Sequence, residues 1–247
     1  MRYGSRSDVS GRTALLRVST ALVCVRPVLI VIEGADGVGR STHIELLQGW
    51  LEGQGFAVSS TGLVRSALTR RGIESAKEGH SFDRTTMALF YATDLADRIE
   101  HEIVPALRSG FVVLADRYVY TTIARGATRG LDREWLARLY GFALIPRRTF
   151  FLRLDPDELI RRTLRRGGEL DYWEAGRDIG LAPDLYSSFR KYQNLMLLEF
   201  DRMAAQYDFT TIDASRSVED VQAELRREVA NLLDPTLLTP AVDVSDD

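Results

Sequence analysis

Five short apolar runs punctuate the chain: Val28 to Ile32, Phe56 to Ser59, Phe111 to Leu114, Arg148 to Leu154 and Phe209 to Ile212. Runs of that length between turn residues suit strands buried on both faces. Between them apolar positions recur at the helical period over Ser41 to Glu52, about Thr85 to Leu107, Arg133 to Phe142, Pro156 to Arg166, Leu185 to Ala205 and Val218 to Leu233. Gly53, Gly55 and Gly110 mark helix ends, and Pro156 takes a first helical position after Asp155. Strands alternating with helices predict an α/β fold, a parallel sheet sandwiched by helices, with ligands beyond the carboxyl ends of the strands. The stripe Leu95, Ile99, Ile103 and Leu107 reads as core.

The first run leads straight into G-A-D-G-V-G-R-S at residues 34 to 41, ahead of a helix carrying Ile44, Leu47 and Leu51. The spacing is that of the phosphate-cradling pattern G-x-x-x-x-G-K-S/T, with Arg40 in the lysine position. Gly34, Gly37 and Gly39 let the backbone curl so that its N–H groups meet phosphate oxygens, where the helix dipole adds partial positive charge. Ser41 supplies the hydroxyl that the pattern sets on Mg2+. Nucleotide binding is the first functional expectation. Lys77 and Lys191 are the only lysines, so drift toward arginine accounts for Arg40 as readily as a special purpose does.

The 247 residues, 45% hydrophobic and 27% charged, fit one large domain. A net charge of −3 gives no global attraction to nucleic acid or anionic lipid, so phosphate affinity has to be local. No run approaches a membrane span, and Cys24 as sole cysteine favours a cytoplasmic setting. The chain divides into an extension over residues 1 to 26, a domain over 27 to 233 and a loose tail over 234 to 247. The extension fits a transit-like segment, a disordered arm or residues upstream of the true start.

At the end of the third strand, Asp116 can hold Mg2+ through water or orient an acceptor phosphate, and Arg117 can clamp that phosphate bidentately. After the fourth strand come Arg161, Arg162, Arg165 and Arg166, running into a glycine-containing segment that can close over a triphosphate. Tyr172 and Trp173 pack that lid or stack on a base. His43, His80 and His101 show no metal spacing and read as solvated residues.

These segments together resemble the thymidylate kinase family of P-loop nucleoside monophosphate kinases. The resemblance spans about residues 27 to 232: I-E-G-A-D-G-V-G-R-S-T at 32 to 42, I-V-P-A-L-R-S-G-F-V-V-L-A-D-R-Y at 103 to 118, R-R-G-G-E-L-D at 165 to 171 and I-D-A-S-R-S-V-E-D-V at 212 to 221. It implies a five-stranded parallel core with a mobile lid, ATP with Mg2+ as donor, a nucleoside monophosphate acceptor and a homodimer. It carries the phosphate cradle to Gly34, Ala35, Asp36, Gly37, Val38, Gly39, Arg40, Ser41 and Thr42, with Asp36 as a carboxylate near the phosphates. Arg117 becomes the acceptor-phosphate arginine, with Tyr118, Thr122 and Arg125 beyond it on the acceptor side. Arg162, Arg165 and Arg166 become lid arginines, Asp116 organises metal and water, and Arg216 lies near the adenine.

Three departures bear on the acceptor. Arg40 puts a wide fork where the family has a compact ammonium, which predicts slow turnover. The family's R-E-P segment after the second strand is missing, with Ser60-Thr61-Gly62-Leu63 in its place. The helix pattern F-A-A-x-R reads Phe90-Tyr91-Ala92-Thr93-Asp94, and the aromatic of A-Y-Q is replaced by Arg125. One expectation is that Asp94 and Arg125 face each other across the pocket, forming a salt bridge or reading a base unlike thymine, one with an amino group; the other is that Arg98, one turn on, pairs with Asp94 instead. The functional expectation is phosphorylation of dTMP or a related nucleotide, with a catalytically impaired regulator, or a kinase with another acceptor, as alternatives.

Overall fold

A computed structural model describes residues 28–79, 82–165 and 170–233. The extension, the tail and Arg166 lie outside the described residues, as does His80. Five strands, β1 (Val28–Gly34), β2 (Val58–Gly62), β3 (Val112–Asp116), β4 (Arg148–Arg153) and β5 (Thr210–Asp213), form one parallel sheet in the order β2-β3-β1-β4-β5. All five expected strands are there. β1 is buried along its whole length, and its side chains alternate between two cores. Ile30 and Ile32 join one under α1 (Arg40–Gly53), α7 (Pro156–Arg165) and α9 (Val218–Leu233). Leu29 and Val31 join the other under α3 (Arg84–Arg98), α5 (Val119–Thr128) and α8 (Leu185–Gln206). Burying such side chains contributes about 1.5–3 kcal/mol each.

Two helices escaped the periodicity. α2 (Arg70–Gly79) buries only Ile73 and Ala76, a stripe too narrow to stand out. α5 is rich in β-branched residues and contains Gly126, so its local pattern resembles a strand until tertiary packing decides. The expected helix from Thr85 to Leu107 is instead three pieces: α3, a π-helical turn over Ile99–Ile103, and α4 (Val104–Arg108). Pro105 accounts for the break, because it lacks an N–H and its ring crowds the carbonyl one turn back. Among the described residues, α6 (Arg133–Leu139) ends three residues before Phe142.

The β2-β3-β1 edge brings the ends of β1 and β3 side by side, with Ile32 in register with Asp116. The phosphate loop and the D-R-Y turn therefore open onto one crevice.

Candidate active site

Gly34 closes β1 so tightly that a Cβ there would sit 2.8 Å from the Leu152 carbonyl. Gly39 precedes α1 with φ 106° and no side chain caps the helix, which leaves its first N–H groups free for an anion. Arg40 folds back into this loop. Its guanidinium donates to Asp116 at 2.8 Å, to the Gly34 carbonyl at 2.6 Å and to the Ala35 carbonyl, and lies 3.4 Å from Asp36. Ser41 Oγ donates to the other Asp116 oxygen at 3.2 Å, while Ser41 and Thr42 stay exposed. The two oxygen-bearing side chains expected to serve Mg2+ are thus neighbours, and hard oxygen donors of this kind fit that ion. Among the described residues no group of three or more His, Cys, Asp or Glu gathers as a metal site.

Asp36 stands at the centre of the crevice. Arg117 donates to it directly, Arg125 donates at 3.2 Å and Arg40 approaches from the loop. Burial would raise its pKa, but the guanidinia of Arg117, Arg125 and Arg40 prevail and hold the carboxyl well below the usual range. For Arg117, burial and then the charge of Arg40 push the pKa below the ordinary arginine value. Glu33 lies beneath, fully buried, with burial raising its pKa; it accepts from the backbone N–H of Tyr118 at 2.9 Å and of Thr121 at 3.2 Å. Glu33 thereby fixes the turn on which Arg117 takes φ 69°, a left-handed conformation uncommon for a side chain of this size. Glu174, from beyond the lid, has its carboxyl pushed up to about 8 by burial and by Asp36. Three guanidinia converge on the single carboxylate of Asp36, so part of their hydrogen-bonding capacity is open to an anion.

Two cavities of about 500 and 490 Å³ meet at Asp36, Lys77, Arg125 and Glu174. The first is faced by aromatic side chains, among them Phe82, Tyr91, Trp173 and Tyr192, together with Thr122. The second gathers Arg65, Arg70 and Arg117 together with the carboxylates of Glu74 and Asp116. A chamber that mixes aromatic with charged side chains and opens into one lined by several arginines suits a nucleoside carrying a phosphate. Arg125 forms the junction, 6.0 Å from the Tyr91 ring centroid.

Asp94 does not face Arg125, and that expectation is corrected. Asp94 and Arg98 are fully buried and paired at 2.9 Å, one helical turn apart. Asp94 also accepts from the N–H of Val64 and of Ser66, each at 3.1 Å, and from Thr69 Oγ1 at 3.2 Å. The aspartate is consumed by the loop that replaces the R-E-P segment, and neither it nor Arg98 reaches a cavity. Tyr118 is likewise fully buried in the core beside α5, away from the acceptor space expected for it.

The remaining expected residues scatter. Arg162 reaches from α7 to the carbonyls of Ala214 at 2.9 Å and Ser215 at 3.2 Å, bracing the loop after β5. Arg165 is exposed at the end of α7. Arg216 lies on that β5 loop, paired with Glu224. His43, read as solvated, is buried; burial and then the charge of Arg162 lower its pKa.

The sequence reading missed Arg65, Arg70, Lys77 and Arg129. Arg129 donates to Asp178 at 2.7 and 3.1 Å and to the Trp173 carbonyl at 3.0 Å, tying the end of α5 to the segment beyond the lid. Its signal was weak, one arginine among many. For Arg65 and Arg70 the available signal was a basic stretch directly after a strand.

A family model described as thymidylate kinase matches residues 32–225. The chain is 37% identical over 214 residues to probable thymidylate kinase 2 of Saccharolobus solfataricus, covering 86% of this chain and all of that relative. It is 31% identical to a probable thymidylate kinase of Thermococcus gammatolerans over 86% of this chain and 98% of the relative. The thymidylate kinase of Clavibacter michiganensis subsp. michiganensis is 34% identical over 83% of this chain and 96% of its own length.

Proposed function

The chain belongs to the thymidylate kinase family, and from that premise we propose that it transfers the γ-phosphoryl group of ATP to dTMP, with release of ADP. The family makes it a phosphotransferase acting on nucleotides. The loop N–H groups at Gly37 to Ser41 receive the β-phosphate, and Arg40 turns from the Gly34 and Ala35 carbonyls toward the β- and γ-oxygens. Arg117 and Arg125 exchange part of their hold on Asp36 for the acceptor phosphate, which brings the attacking oxygen in line. Ser41 and Asp116 would hold Mg2+, which would supply positive charge for the transferring phosphoryl group. The chemistry needs position and positive charge and no covalent intermediate.

The observation that carries this reading is the cationic cluster around Asp36, which joins the phosphate loop to the acceptor cavity. An ADP-release assay across dTMP, dUMP, CMP, AMP and GMP tests it. The highest rate is expected with dTMP; no release with any acceptor overturns the proposal.

The proposal extends to a homodimer in the cytoplasm. Exposed Leu89, Phe142 and Ile145 offer apolar surface to a second copy, and light scattering on the purified chain measures the mass. Among the described residues no helix is long and apolar enough to cross a membrane.

A further inference from the structure

His43 lies on the first turn of α1, three residues after Arg40, and is only 4% exposed. Gln222 of α9 packs on it and donates twice from its side-chain nitrogen, at 2.9 Å to the His43 backbone oxygen and at 2.9 Å to Nδ1. A backbone oxygen can only accept, so it settles which end of the amide faces the histidine. The same nitrogen meets Nδ1, which is therefore an acceptor, and the neutral ring carries its proton on Nε2. Nε2 has no hydrogen-bond partner among the described residues. It faces the phosphate loop, 3.9 Å from where a Cβ on Gly39 would lie.

This arrangement leaves Gln222 Oε1 buried without a partner, a cost that packing alone does not require. The donor sits where the uncapped N-terminus of α1 already gathers anion-binding N–H groups. Phosphate loops serve the α- and β-phosphates with their backbone and send the cation of residue 40 toward the β- and γ-phosphates. His43 stands three residues further along α1 and feels the charge of Arg162, which also holds the Ala214 and Ser215 carbonyls after β5.

We propose that His43 Nε2–H is a hydrogen-bond donor to the α-phosphate of the bound adenine nucleotide, and that Gln222 is a positioning residue that holds the ring in the donating tautomer. The inference rests on the ATP half of the proposed function.

Long-range proton–nitrogen NMR on the full chain reads the tautomer directly. The expected spectrum of the free protein shows His43 protonated at Nε2 and bare at Nδ1, with the Nε2 signal moving when MgADP is added. In Gln222→Leu the two tautomers should mix. In calorimetry, His43→Phe should bind MgADP about tenfold more weakly, the scale of one lost hydrogen bond to a charged group. His43→Gln, which keeps a donor nitrogen, should recover most of that loss; in His43→Phe KM should rise for ATP while KM for dTMP holds. An Nε2 signal indifferent to MgADP overturns the proposal, as does His43→Phe binding MgADP within about twofold of the wild type. If His43→Phe does not fold, the wild-type spectra decide alone. MgADP binding through His43 without ADP release on any monophosphate leaves this inference standing and overturns the transfer reading.

Discussion

Asp94 and Asp36 each anchor arginine side chains, one in the interior and one at the mouth of the crevice. Asp94 is fully buried and matched one to one with Arg98, and its remaining oxygen capacity goes to the Val64 and Ser66 N–H groups and to Thr69. Charge balances there and both side chains are sealed from solvent, so although Arg98 Nη2 is left without a hydrogen-bond partner, no ligand reaches the pair. Asp36 is a quarter exposed and shared by Arg40, Arg117 and Arg125, too many cations for one carboxylate. The same residue types thus make a closed structural joint in one place and an anion-seeking surface in the other. What separates them is stoichiometry and access to water, neither of which residue identity reveals.

The largest expected effect falls on the closed joint. Asp94→Asn leaves the Arg98 charge buried without its counterion, and a break of that kind costs about 3–5 kcal/mol. Urea unfolding measures it. A loss under about 1 kcal/mol would mean that the loop from Val64 to Thr69 does not depend on this pair, and the contrast with Asp36 would collapse.

Next comes the open cluster. Arg117→Lys keeps the charge but removes the two-pronged grip, so kcat/KM for dTMP should fall on the order of 100-fold. The thermal midpoint should move by no more than about 2 °C, because Asp36 retains two other guanidinia. Steady-state kinetics beside calorimetric scans separate the two. Equal damage to folding and rate would place Arg117 with Arg98 as a structural arginine.

The donor half of the crevice could be read from the chain because its geometry is local. Gly34 to Ser41 form one continuous turn whose glycines and hydroxyl announce themselves by spacing. The sheet was equally readable, since each strand is a compact apolar run. The acceptor half was not, because it is assembled from α2, α3, α5 and the segment around Glu174, which meet only through tertiary packing. Asp94 shows the difficulty. Its neighbour Arg98 and the distant Arg125 were both chemically suitable partners, and only the path of the loop after β2 decides between them. Burial hid His43 and Tyr118 in the same way: a polar side chain on a helix carries no local mark of which face is inward.

A smaller effect is expected at Arg40, where the two halves touch. Lysine lacks the fork that reaches the Gly34 and Ala35 carbonyls and Asp116 together, so Arg40→Lys should lower stability by about 1 kcal/mol. The compact ammonium also crowds the β- and γ-oxygens less, and kcat should rise about three- to tenfold. Parallel turnover and unfolding measurements check both signs. An unchanged kcat would mean that the guanidinium clears the phosphates without difficulty.

The smallest effect is a dependence on pH set by Glu174 and Asp36, which shift in opposite directions. Burial and the nearby Asp36 raise the Glu174 carboxyl from 4.5 to about 8, so the folded state holds its proton over an interval where the unfolded state has lost it. Its contribution to stability is complete below 4.5 and disappears as pH climbs through about 8. Asp36 is held below its ordinary 3.8, so its contribution is present above that value and disappears in acid. The two windows do not overlap, and the difference between wild type and Glu174→Gln therefore isolates the first. Between about pH 5 and pH 8 the wild type should lose stability relative to the variant, by well under the roughly 4 kcal/mol that the full shift would give, since Glu174 is only partly buried. Urea midpoints at several pH values measure the slope. A flat difference would mean that Glu174 is ionised beside Asp36, leaving the cluster with an extra negative charge and a weaker claim on the acceptor phosphate.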